Sequence, residues 1–180
     1  MKSLDAEAVK RCTKCVTLGA DQVPAEGSPQ ASIMFIGQSP GAVEAKQGRP
    51  FCGPSGELLT FLIEEIGISR NEAYITNALK CRPPENRPGH KEELSTCFDT
   101  WLFKEIRVVN PKIIVLLGKD AWQSVTKGKV TWGHGVVTKT KTRTYVCLYH
   151  PSYFLRNGDV EGFVSQGKKI KELYDEVASL

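Results

Sequence analysis

The 180-residue chain has no apolar run approaching the length of a membrane span, which excludes a protein anchored by a spanning helix. Its first residues, MKSLDAEAVKRC, lack the apolar core that a secretion signal needs, so the expected location is the cytoplasm, with no membrane partner. Neither charge sign dominates: 24 Lys and Arg against 20 Asp and Glu leave +4, which permits nucleic-acid binding but is far from a basic tail. Internal repeats, low-complexity tracts and a second domain are also missing. With 41% of residues hydrophobic the length suits one sizeable core, so residues 1–180 are expected to form a single domain.

What the chain does have is six cysteines. A reducing cytosol disfavours disulfides, so their spacing is read as metal ligation, reactive thiols or core packing. Cys12 and Cys15 form C-x2-C; 65 residues intervene before Cys81, and 15 more before Cys97. An i, i+3 pair can present two thiolates to one metal centre, whereas the two distant cysteines need the fold to bring them in. Spacing favours a metal, zinc included, over free core thiols without naming it. Cys147, in an apolar run, and Cys52, beside Phe51, are read as packing residues.

Residues 4 to 14 predict a short helix, and Thr17 to Ser32 an irregular connection, so the N-terminus is expected to be an arm laid on the core. Four short, largely apolar runs follow: Ile33 to Ile36, Ala73 to Thr76, Ile113 to Leu117 and Tyr145 to Leu148. Helical patterns alternate with them, through Leu58, Leu59, Leu62 and Ile66, then Leu94, Trp101, Leu102 and Ile106, then Ala121 to Val125. A last helix over about Val160 to Val177 places Phe163, Ile170, Tyr174 and Val177 on one side. The pattern predicts an α/β fold, a three-layer α/β/α sandwich with a central four-stranded parallel sheet. Ligands of such sheets sit beyond the carboxyl ends of the strands.

Four segments occupy those positions. Gly37-Gln38-Ser39-Pro40-Gly41 leads on to GRPFCGPSG at 48–56; NALKCRPPENR follows the second strand; Gly118-Lys119-Asp120 follows the third; and HPSYFLR at 150–156 follows the fourth. Glycines let backbone approach a ligand and prolines fix loop shapes. Each segment alone is an ordinary turn, but four at one sheet edge are harder to dismiss. Together GQSPG, GRPFCGPSG, TNALKCRPPENR and HPSYFLR, preceded by C-x2-C, resemble the family 4 uracil-DNA glycosylases, the iron-sulfur branch of that superfamily. The likeness runs in order from about Arg11 to Arg156.

The resemblance implies a monofunctional base-excision-repair enzyme that hydrolyses the N-glycosidic bond of uracil in DNA, a monomer whose partner is uracil-containing DNA. It also implies a structural [4Fe-4S] cluster on Cys12, Cys15, Cys81 and Cys97, pinning the arm to the loop after the second strand. Such an enzyme must turn its nucleotide out of the duplex into a pocket. Phe51 is then expected to stack on the base, Asn77 to accept from N3–H while donating to O4, and His150 to hydrogen-bond O2 of the leaving base. Gly37, Ser39 and Gly41 complete the base-binding set, and Gln38 orients the attacking water.

The family usually has Glu where this chain has Gln38. A neutral amide orients water but cannot take its proton, so a slower or differently selective enzyme is expected. Gly41 stands where the best-known uracil-specific branch has a tyrosine against C5, leaving room for a 5-substituent unless Gln38 fills it. Ser55, opening a helix beside Gly56, offers backbone N–H groups to a phosphate. Lys80, Arg82, Arg87 and Lys119 are expected along the DNA path, with Arg156 on a phosphate. Tyr153, Phe154 and Leu155 are read either as a wedge entering the base stack or as buried side chains. His90 and His134 are read as loop or solvent residues, and no motif places a lysine for Schiff-base chemistry.

Two other functions fit this pattern. One is a glycosylase of the same fold for another damaged or modified base, such as a 5-substituted uracil, hypoxanthine or xanthine. The other is a non-catalytic DNA-binding module that kept the pocket and lost turnover.

Overall fold

Apolar runs too short for helices and too continuous for a one-sided sheet form strands covered on both faces. The computed structural model describes residues 6–15, 18 and 21–179. Its elements, in chain order, are α1 (Ala6–Lys10), β1 (Glu26–Gly27), β2 (Ile33–Gly37), α2 (Ala42–Gln47), α3 (Pro54–Ile66), β3 (Tyr74–Asn77), α4 (Lys91–Cys97), α5 (Phe103–Val109), β4 (Ile113–Leu117), α6 (Lys119–Thr126), β5 (Val136–Lys139), β6 (Thr144–Leu148), α7 (Pro151–Asn157), α8 (Val160–Val164) and α9 (Gln166–Ala178).

The strands lie in the order β1-β3-β2-β4-β6-β5. The four central strands are parallel, as expected, but β1 and β5 add antiparallel edges, so among the described residues the sheet has six strands rather than four. Neither edge carries an apolar run: β1 has two residues, and β5 is only half-buried.

Alternate side chains of a strand point to opposite faces. Ile33, Phe35, Ile75, Ile113 and Val115 pack on one side against Leu59, Leu62, Phe163 and Ile170 from α3, α8 and α9. Met34, Ile36, Ile114 and Leu116 pack on the other against Leu94, Leu102 and Ile106. Burial of both sets requires a helical layer on each face, which gives the three-layer sandwich.

Boundaries shift locally. The expected last helix is divided at Ser165 into α8 and α9, and a π-helical turn at Phe98–Leu102 joins α4 to α5. The first helix ends at Lys10 rather than at residue 14; residues 4 and 5 of the expected helix, and 16, 17, 19 and 20 around the connection, lie outside the described residues. Among the described residues no helix is long and apolar enough to cross a membrane. All four parallel strands end at one edge. The chain passes from β2 to β3 on one side and then to β4 on the other, so the topological switch point lies at the carboxyl end of β2.

Candidate functional site

At that end Gly37 of β2 is in register with Asn77 of β3. A Cβ on Gly37 would collide with both Asn77 Oδ1 and the Phe51 ring, so glycine is what lets these two side chains share the space. Phe51 is buried, with φ 49, an uncommon conformation for a bulky residue and one the surrounding loop must hold. Asn77 is 3% exposed, and its buried Oδ1 has no hydrogen-bond partner among the described residues. A buried orphan acceptor costs about 1–3 kcal/mol, so a donor arriving there recovers that cost.

His150 faces the same cavity from the N-cap of α7, its ring stacked on Phe51 at a centroid distance of 5.8 Å. Its Nδ1 accepts the Ser152 backbone N–H at 3.2 Å and lies 2.9 Å from Ser152 Oγ. A backbone N–H can only donate, so Nδ1 is unprotonated and the neutral ring carries its proton on Nε2. Burial, and then the positive charge of Arg156, push the His150 pKa down to about 4. The ring is therefore a neutral N–H donor, suited to an oxygen that gains negative charge.

The cavity holds about 430 Å³, and its walls include Gln38, Ser39, Gly41, Phe51, Ser55, Asn77, His150 and Arg156. Gln38 lies against Gly118 with no side-chain hydrogen bond among the described residues, leaving its carboxamide available to a water. Beside Gly41 stands the Glu44 carboxylate: a Cβ there would lie 2.8 Å from Glu44 Oε2. Glu44 accepts N–H bonds from Cys52 (3.1 Å), Gly53 (2.8 Å) and Gly41 (3.2 Å), bracing the Phe51 loop to the first loop. Sequence reasoning missed that brace, because its partners are backbone groups. It placed Asp120 in the segment after the third strand but gave it no role; this wall residue accepts from the Gly89 N–H at 3.0 Å.

The expected DNA contacts divide. Arg156 is exposed on the cavity rim, and Tyr153 and Leu155 are exposed on α7, while Phe154 between them belongs to the core. At Ser55 the phosphate cradle is narrower than expected, since the Gly56 N–H already donates to Gly53 O. Arg82 is tied to Asn86 and lies outside the cavity wall, and Arg87 is paired with Glu93. Lys80 is a correction: it is 1% exposed, with its ammonium 2.7 Å from Glu105 Oε2 inside the protein, and it has no path to a phosphate.

On the other side of that lysine, Cys12, Cys15, Cys81 and Cys97 line one small cavity of about 20 Å³. Burial, reinforced by the neighbouring thiols, pushes Cys81 up to about 12. The Trp101 indole donates to Cys12 Sγ and the Lys80 backbone N–H to Cys97 Sγ, both at 3.3 Å, bonds that suit thiolate sulfur. Among the described residues no three His, Cys, Asp or Glu are grouped closely enough to hold one metal ion. Cys147 is fully buried in the core, and Cys52 donates to Arg49 O, consistent with packing roles for both.

Residues 24–177 match the uracil DNA glycosylase superfamily. The chain is 38% identical over 182 residues to a type-4 uracil-DNA glycosylase of Sulfurisphaera tokodaii, spanning 93% of this chain and 82% of that one. It is 40% identical over 164 residues to a type-4 enzyme of Thermotoga maritima, spanning 84% and 82%. Over 195 residues it is 36% identical to a type-4 enzyme of Archaeoglobus fulgidus, spanning 96% and 94%.

Proposed function

This chain belongs to the uracil-DNA glycosylase superfamily, and from that premise we infer that it hydrolyses the N-glycosidic bond of uracil in DNA, leaving an abasic site in an intact strand. The observation that carries this reading is Asn77 Oδ1, a buried acceptor beside the Phe51 ring with no partner among the described residues. Uracil brings an N3–H to that atom. Cytosine brings a lone pair, so the same acceptor that welcomes one base repels the other, and sites built this way discriminate by about 10⁴-fold.

In the proposed reaction the extruded base stacks on Phe51 and pairs with Asn77, while Arg156 holds a backbone phosphate. The C1′–N1 bond breaks with its electron pair leaving on uracil. The Nε2–H of His150 meets O2 as negative charge builds there, and removing one such donor typically costs about 10²–10³-fold in rate. Water oriented by Gln38 bonds to C1′ and releases a proton, and the uracil anion takes one up. A largely dissociative path asks little of a base, which suits the neutral Gln38.

The four cysteines would hold a [4Fe-4S] cluster, each binding a separate iron. When bound, that group supplies cross-links between the N-terminal arm, the loop after β3 and the end of α4; none of the steps above passes through it. The same reading has the protein act as a monomer in the cytoplasm.

The test is a panel of oligonucleotides containing uracil, cytosine, 5-hydroxymethyluracil, hypoxanthine or xanthine, treated with alkali to reveal abasic sites. Cleavage confined to uracil is the expected result. Uracil left intact while another base is removed refutes it, as does DNA binding without cleavage of any base.

A further inference from the structure

Five residues, Asn77 to Cys81, join the base cavity to the cysteine cavity, and the polar groups of Lys80 bond a wall residue of each. Its ammonium donates to the Asn77 carbonyl at 3.1 Å, to Glu105 Oε2 at 2.7 Å and to Thr76 Oγ1, while the Thr76 hydroxyl donates to Glu105 at 2.9 Å. Its backbone N–H donates to Cys97 Sγ at 3.3 Å. Its carbonyl accepts from Val23 N–H at 2.7 Å; the adjacent Gln22 holds the Cys12 carbonyl at 2.8 Å, so the strand entering from the arm hangs on the same residue. The next two N–H groups after Asn77, on Ala78 and Leu79, bond Gly37 O and Gln38 O of the base cavity at 2.9 and 3.0 Å.

A buried ion pair is a poor stabiliser, because desolvation offsets much of its attraction. Stability alone therefore gives weak reason to bury Lys80 and Glu105 at 1% and 3% side-chain exposure. We propose that Lys80 is a positioning residue that couples the four-cysteine centre to the base-reading amide: it fixes the Asn77 backbone from inside and takes its own position from Cys97 and from the arm that carries Cys12. The inference rests on the uracil reading above. Coupling is reciprocal, so a base seated on Asn77 stabilises the cysteine centre as much as the centre favours the base.

The test uses the iron-loaded protein and a duplex carrying 2′-fluoro-2′-deoxyuridine, whose glycosidic bond resists hydrolysis. Loss of iron to a chelator is followed by absorbance, with and without the duplex, and a cytosine duplex is the control. In wild type the fluorinated duplex is expected to slow iron loss about fivefold more than the control does. In Lys80→Met/Glu105→Leu, which removes both charges together, iron content and Tm are retained and the difference between duplexes disappears. Thr76→Val, which removes one rung and keeps the pair, reduces the difference and keeps the inference testable should the double variant fold poorly.

A folded, iron-replete double variant that still shows full duplex-dependent protection overturns the coupling, leaving Lys80 a structural residue. Wild type that cleaves uracil but shows no protection also overturns it while sparing the glycosylase reading. Wild type that neither binds nor cleaves the uracil duplex overturns both.

Discussion

The two cavities flanking residues 77–81 follow opposite plans. The base cavity is roomy at about 430 Å³, polar, and keeps an acceptor unpaired at Asn77. The cysteine cavity is about 20 Å³, and two of its four sulfurs already receive N–H bonds. A site for a visiting base must hold groups unsatisfied and ready, at some expense of stability; a site for a resident group arranges its donors around that group permanently. Substitutions in the two places should therefore move stability and activity in different ways.

The largest effect is expected at Cys81→Ser. Losing one of four thiols that tie the arm, the β3 loop and α4 together should remove the iron and lower stability by on the order of 4 kcal/mol, about 10 °C in Tm. Iron analysis and thermal unfolding check this together. A variant without iron but with unchanged Tm would mean that the cysteine centre contributes little to the fold, and the contrast between the cavities would fail.

Asn77→Ala should do the reverse. Uracil cleavage is expected to fall about 10³-fold in kcat/KM, because the base loses the group that reads it. Tm should stay level or rise, since the substitution removes an acceptor that was buried without a partner. Single-turnover kinetics and unfolding scans on the same iron-loaded sample provide the comparison. A large loss of stability here would mean that Asn77 serves the fold.

Much of this contrast was legible in the chain. Asn77 and His150 stand where strands end and turns begin, and apolar runs marked those strand ends, while Phe51 lies in the Gly- and Pro-rich loop between α2 and α3. The edges β1 and β5 were not legible, because one is two residues long and the other is half-buried. Lys80 was misread for a physical reason: a lysine in a loop is normally solvated, and its partner Glu105 lies 25 residues away on another element. A signal did exist. Glu105 stands with Ile106 and Val109 on the buried side of α5, and an acid on an apolar helix face asks for a buried partner.

Glu44→Gln tests whether the base cavity depends on a rigid frame. The Glu44 carboxylate receives three backbone N–H groups, and a carboxamide presents an NH₂ where one of its oxygens was. The expected cost is about 2 kcal/mol, with about a tenfold loss of cleavage as the Phe51 loop relaxes, and iron content unchanged. Denaturant unfolding and kcat/KM report the two effects separately. Unaltered cleavage would show that the loop holds Phe51 in its positive-φ conformation without this brace.

The smallest expected effect is an absence of change. The His150 pKa in the folded protein, about 4, lies below the ordinary histidine value of 6.5, so the ring stays neutral while the unfolded chain takes up a proton as pH falls. Its contribution to stability is thus fully present above about pH 6.5 and is lost as the pH drops towards about 4. Cleavage in single turnovers, by contrast, should show no inflection from this group between about pH 5 and 8, because its donor stays on Nε2 throughout. Wild type and His150→Gln, compared in urea unfolding at pH 7 and at pH 5, should converge at the lower value, as wild type alone loses the His150 contribution. A step in the cleavage profile near 6.5 that vanishes in His150→Gln would place an imidazolium beside the leaving base, and the neutral-donor mechanism would fall with it.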